Sequence, residues 1–300
     1  MRILKWVGIG LAVLIGLVIA GVAVAYAVTS AQMGKTYKYG SESITISSDQ
    51  ETLARGKYLV EGIAGCTDCH NKDLGGKVMN DEPMFGRLWG ANITSGEGGI
   101  GDEFSDRDWV RTLRHGVNRE GKPLVLMPSA AFYNMTKQDL GAVIAHVKSV
   151  PPVDRETPKK RLGPLAYVMF ATGNLPSLLP ALEYDHSASR PSAQRGVTEK
   201  YGRYLVAIGG CRDCHRKDLA GGPIAGAPPG TPAASNITPA GAMGQWSAEG
   251  FIKAMRTGET PYGHRMEQFM PWKYIGKMND DDLTAMLLYL KTVPERIRAE

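Results

Sequence analysis

The sequence has little net charge and lacks nucleotide-binding signatures and sustained alternating strand patterns. Its formal charge is +5, and setting aside Arg2 and Lys5 at the N-terminus leaves 33 basic against 30 acidic residues. That is too little for nucleic-acid binding. No P-loop, nucleophile elbow or dinucleotide fingerprint occurs. GEGGIG at Gly96 to Gly101 has no strand pattern before it and reads as a loop. No window alternates apolar and polar residues, so no substantial sheet is expected. With 43% hydrophobic and 22% charged residues, neither disorder nor a multi-pass membrane protein fits. Cysteine occurs only four times in 300 residues, and all four sit in two short stretches.

One long apolar run is present. Trp6 to Ser30 carries no charge and follows Arg2 and Lys5. A signal core is about 7–15 residues and a spanning helix about 20. Residues 1–32 therefore predict a single-pass transmembrane anchor, with cleavage near Ala23, Ala25 or Ala27 as the alternative. Arg2 and Lys5 would stay in the cytoplasm. The remaining ~270 residues then lie outside the inner membrane, in the oxidising periplasm.

The rest of the chain repeats itself. GKYLVEGIAGCTDCHNKDLGG, from Gly56, matches GRYLVAIGGCRDCHRKDLAGG, from Gly202. ANIT at Ala91 matches SNIT at Ser235, and FSDRDWVRTLRHG matches WSAEGFIKAMRTG. The closing MPSAAFYNMTKQDLGAVIAHVKSVP matches MPWKYIGKMNDDDLTAMLLYLKTVP. A period so long marks a duplicated domain rather than a solenoid. The expected units are residues 48–152 and 195–300, joined by a linker over 153–194. Both copies read as mostly α. Ser48 with Glu51, Ser105 with Asp108, Thr136 with Asp139 and Asn279 with Asp282 are capping signals. Gly116 suits a helix C′ position. The linker turns apolar at LGPLAYVMFATGNLPSLLPALEY, but Gly173, Pro176 and Pro180 break it. It reads as packed on both units, with membrane or subunit contact as the alternative.

Each copy holds one Cys-x-x-Cys-His: Cys66, Cys69 and His70, then Cys211, Cys214 and His215. On a helix these three positions share a face. Two thiols can then add to the vinyl groups of one porphyrin edge while the imidazole binds iron, the reading this signature usually carries. A local disulfide, a thioredoxin-like redox pair and a four-cysteine zinc site compete. Histidine follows the second cysteine in both copies, and no βαβ pattern surrounds either, which favours two covalently bound haem c groups.

The sixth iron ligand must come from farther along. The protein has 13 methionines, and a lone Met is usually core. The repeat selects Met127 and Met270, each followed by proline at matching positions. Met135 and Met278 also match but adjoin a helix cap. His115, His146 and His264 have no histidine counterparts, and His264 is the strongest rival. A thioether opposite imidazole raises the potential and fills the last coordination position. Asn92 and Thr94, like Asn236 and Thr238, read either as haem propionate donors or as a plain turn. Trp109, Trp246 and Trp272 read as core with haem contact. Arg212 and Arg216 stand where the first copy has Thr67 and Asn71, giving the second motif a more basic surround.

On these motifs the chain resembles class I cytochrome c domains of membrane-anchored dihaem cytochromes. It is particularly similar to the cytochrome c subunits of bacterial membrane-bound alcohol, aldehyde and gluconate dehydrogenases. The resemblance covers 48–152 and 195–296. It implies two tandem cytochrome c domains after one transmembrane helix, with iron ligands His70, Met127, His215 and Met270. Those subunits usually carry three haem motifs, and this chain has two. The expected role is that of an electron carrier and not an enzyme. It would pass electrons from a membrane or periplasmic dehydrogenase or respiratory complex to an acceptor such as a terminal oxidase. A fixed subunit of a larger complex and a dihaem peroxidase are the alternatives.

Overall fold

The computed structural model describes residues 2–40, 42–190, 194–228 and 230–297; the expected limits at residues 1 and 300 lie outside these. The chain opens with α1 (Arg2–Gly34), a helix long and apolar enough to cross a membrane. The first half follows: α2 (Gln50–Glu61), α3 (Cys66–His70), β1 (Lys77–Glu82), β2 (Gly86–Gly90), α4 (Asp106–His115), α5 (Ser129–Phe132) and α6 (Lys137–Ser149). β3 (Arg161–Leu162) and α7 (Pro164–Ala171) occupy the connection. The second half holds α8 (Glu199–Ile208), α9 (Cys211–His215), α10 (Ala248–Thr257), α11 (Trp272–Ile275) and α12 (Asp280–Leu290). The fold is mostly helical, and the helix order of the first half recurs in the second.

The repetition extends to unfavourable backbone. Leu74 (φ 57°) and Leu219 (φ 63°) are both left-handed, as are Asn71 (φ 66°) and Arg216 (φ 67°). A side chain there costs roughly 1–2 kcal/mol, so the turn after each cysteine motif is held by its surroundings. Gly56 and Gly202 allow α2 to cross α6 and α8 to cross α12. A Cβ at either would collide with the carbonyl of Ala142 or Ala285.

Ser105 and Asp108 form the expected reciprocal capping box, and Gly116 (φ 63°) closes α4. Thr136 and Asn279 also cap α6 and α12. One expectation is corrected. Asp49 caps α2 in place of Ser48: its carboxylate accepts from Thr52 N at 2.9 Å and is braced by Ser47 at 2.6 Å. A small antiparallel sheet, β1-β2-β3, also exists. β1 shows no apolar alternation because neither of its faces is buried, so the sequence had no period to reveal.

One hydrophobic core runs through both halves. A buried polar network stitches them, and it is reciprocal. Tyr58 OH donates to Asp282 at 2.7 Å and accepts from Asn279 N at 3.0 Å. Its repeat mate Tyr204 donates to Asp139 at 2.6 Å and accepts from Thr136 N at 3.3 Å. Each half's tyrosine thus binds the first turn of the other half's last helix. Arg55 adds a two-pronged bond to Asp139, both contacts 2.9 Å. The linker forms a second, smaller cluster, with Leu175, Leu178 and Leu179 packed on Leu126, Phe85 and Met33 at the end of α1.

Candidate functional site

α3 and α9 present their cysteine motifs alike. Gly65 (φ 57°) and Gly210 (φ 64°) start these helices in the left-handed region, which turns the chain sharply out of α2 and α8. His70 Nδ1 donates to Ala91 O at 2.7 Å, and His215 Nδ1 to Ser235 O at 2.8 Å. A carbonyl can only accept, so Nδ1 carries the proton and Nε2 keeps its lone pair. That is the tautomer a metal-binding imidazole needs. Burial lowers both histidine pKa values and keeps the rings neutral.

Cys66, Cys69, His70 and Met127 line one cleft in the first half, together with Trp109 and Phe132. The cleft is mainly apolar and partly open to solvent, with a cavity volume of about 130 Å³, smaller than a typical preformed ligand pocket. In the second half Cys211 and Met270 stand on the matching elements and pack against the shared core. No disulfide joins the four cysteines among the described residues. Burial pushes the Cys66 and Cys211 thiols up to about 12. A thioredoxin-like pair carries a depressed thiol pKa, and each motif here follows a helix, α2 or α8, rather than the strand of a βαβ unit. The cysteine pairs belong to separate halves, and among the described residues no three His, Cys, Asp or Glu form a metal-binding group, as a shared zinc site would require.

The residues fit haem c. Paired thiols, an imidazole with free Nε2 and a thioether surround one apolar cleft. The indole N–H groups of Trp109, Trp246 and Trp272 are buried without a hydrogen-bond partner among the described residues. An orphaned buried donor calls for an acceptor, and a haem carboxylate is one. Trp109 and Trp246 hold swapped places in the repeat: Phe104 pairs with Trp109 (5.2 Å) and Trp246 with Phe251 (6.3 Å).

The propionate-donor reading of the Asn-Ile-Thr segments is corrected. Asn92 Nδ2 donates to Val153 O at 2.7 Å and Arg155 O at 3.2 Å, while its Oδ1 accepts from Thr94 N and Oγ1. Asn236 likewise donates to Arg296 O at 2.7 Å and accepts from Thr238. These side chains clamp the strand of chain that leaves each last helix. The rival histidines are placed elsewhere. His115 pairs with His186 across 2.8 Å and stacks on Tyr39, His146 packs beside Gly56, and His264 is exposed. Met135 and Met278 are core, at 1% and 0% exposure.

The halves differ at the methionine edge. In the first, Leu126 N donates to Leu178 O at 3.0 Å, and the linker covers the loop. In the second, the equivalent Phe269 is 51% exposed and Tyr262 58%. Arg212 beside the second motif also joins Arg190, Lys200 and Arg203 around a cleft between the halves. Sequence reasoning did not foresee the Tyr58 and Tyr204 exchange, although both tyrosines stood in the repeated GKYLV and GRYLV segments.

Residues 200–294 match the cytochrome c family. The chain is similar to the fructose dehydrogenase cytochrome subunit of Gluconobacter japonicus, at 27% identity over 85% of this chain and 55% of that one. It is also 27% identical to the cytochrome c subunit of the quinone alcohol dehydrogenase of Gluconacetobacter polyoxogenes, over 83% of this chain and 58% of that one. A diheme cytochrome c-type protein of Cereibacter sphaeroides is 27% identical over 77% of this chain and 82% of its own length. The chain thus spans little more than half the length of the two dehydrogenase subunits. Residues 200–294 therefore carry a cytochrome c match, and most of the chain is similar to the cytochrome subunits of bacterial dehydrogenases and to a diheme cytochrome c-type protein.

Proposed function

We propose that this protein is a membrane-anchored dihaem c-type cytochrome that transfers electrons. It would connect a dehydrogenase or respiratory complex to a downstream acceptor such as a terminal oxidase. The observation that carries this is the convergence of Cys66, Cys69, His70 and Met127 on one apolar cleft, with Cys211, Cys214, His215 and Met270 on the matching elements. In this reading residues 48–152 and 195–300 are two cytochrome c domains, 153–194 links them, and 1–32 anchor them to the inner membrane. The haem domains lie on the periplasmic side, with Arg2 and Lys5 in the cytoplasm.

Haem iron, when bound, supplies a reversible one-electron couple. The chain's residues set its character. The cysteines hold the porphyrin edge, and Ala91 and Ser235 orient the imidazoles. With haem bound, the Met127 and Met270 thioethers would be the second protein ligands to iron and would favour the reduced state. That leaves no open site for peroxide, so the isolated holoprotein should show reversible redox cycling and no peroxide turnover. Sustained peroxide consumption would overturn the carrier reading.

A second reading is favoured by the relatives' names, two of which are subunits of fructose and alcohol dehydrogenases: a fixed subunit of such a complex. Solubilising the native membrane in detergent separates the two. Stable co-purification with a dehydrogenase supports the subunit; a monomer running alone supports the free carrier.

A further inference from the structure

Two charge-free stretches of the chain meet in the fold. α1 carries no charge after Lys5, and residues 162–182, which include α7, carry none. α7 lies along the outer part of α1. Ala166 is fully buried on α7, and Ala25 and Thr29 are buried on α1. Thr29 Oγ1 donates to Tyr167 O at 3.3 Å, and the Tyr26 and Tyr167 rings lie 4.9 Å apart.

Position along α1 sets depth. The 21 residues from Trp6 to Tyr26 make about 30 Å of helix, the thickness of a bilayer's hydrocarbon core. Trp and Tyr concentrate at its two interfaces. Tyr26 therefore falls at the outer interface, and Tyr167 with it.

Pro164, Leu165 and Ala171 of α7 are apolar and exposed. Leu165 is 43% exposed. Its N–H bonds the carbonyl of Met84 at the β1–β2 tip, and Met84 is 61% exposed. Cations frame the same region. Lys159 and Arg161 immediately precede α7, Lys35 and Lys38 follow α1, and all four are exposed. Lys122 Nζ donates to Gly34 O at the end of α1. Two acids precede the tip: Asp81 is engaged by Arg87 at 2.7 Å, and Glu82 is exposed.

We infer that α7 and the β1–β2 tip rest on the outer leaflet of the membrane that α1 crosses. Leu165 and Met84 reach the acyl boundary, and Lys159, Arg161, Lys35 and Lys38 sit among lipid phosphates. The first half is then held against the bilayer at two places, which stops it swivelling on a single helix. The inference rests on the anchor role proposed above for α1.

The test uses the full-length holoprotein in nanodiscs of phosphatidylcholine and phosphatidylglycerol, doped with a phospholipid whose photoreactive group lies high on the acyl chain. After illumination, adducts are mapped by mass spectrometry. Adducts on both α1 and residues 162–182 support the inference. Adducts confined to α1 overturn it and leave the anchor standing; none on α1 overturns the anchor and the inference together. In Lys159→Gln/Arg161→Gln, labelling of 162–182 should fall about fivefold for each cation removed, with α1 labelling unchanged. Undiminished labelling overturns the phosphate contact.

Discussion

His70 and His215 each donate through Nδ1 to a carbonyl that directly precedes an Asn-Ile-Thr segment. That single bond fixes which nitrogen is free for iron. Opposite it, the account assigns Met270. Met270→His should lower the potential of one haem, on the order of 0.1 V within the roughly 0.8 V span that axial ligands control, and leave the other unchanged. Redox titration checks this, and two unmoved potentials would remove Met270 as a ligand. Asn92→Ala should lower stability by about 1–3 kcal/mol through unmet bonds to the departing chain, with both potentials unchanged. Denaturant melts and titration separate that from a propionate role, which would shift a potential. At this scale the cysteine motifs were legible because their geometry is local. The case for Met127 and Met270 comes only from comparing the copies. The task of Asn92 was not legible, since its partners Val153 and Arg155 lie about sixty residues away.

The helices were legible from caps and closing prolines, and the exceptions have physical causes. β1 hid because it buries no face. α2 begins at a carboxylate that competes better than the neighbouring hydroxyl. α4 carries a consequence for pH. His115 at its end is pushed down to about 4 by burial and by His186 beside it. Unfolded histidine titrates near 6.5. Between these values the folded chain binds fewer protons than the unfolded one, so stability falls as pH drops from about 6.5 to about 4. His115→Asn should flatten that slope in melts across the window; an unchanged slope would show that His115 does not contribute.

The sequence repeat pointed to the helix order that recurs in the two halves, but not to the way the halves join. Tyr58 with Asp282 and Tyr204 with Asp139 form a reciprocal exchange that no local pattern announces, because the partners are far apart in the chain. The linker's place over the first methionine loop was equally hidden, and it leaves the second half as the more open one. Electron transfer through two such halves requires a haem in each. The most direct measurement is the intact mass of the chain made in a strain competent in haem attachment. The account predicts the polypeptide plus two haems, falling to one haem in Cys66→Ala/Cys69→Ala and to one in Cys211→Ala/Cys214→Ala. An unmodified polypeptide mass would contradict it.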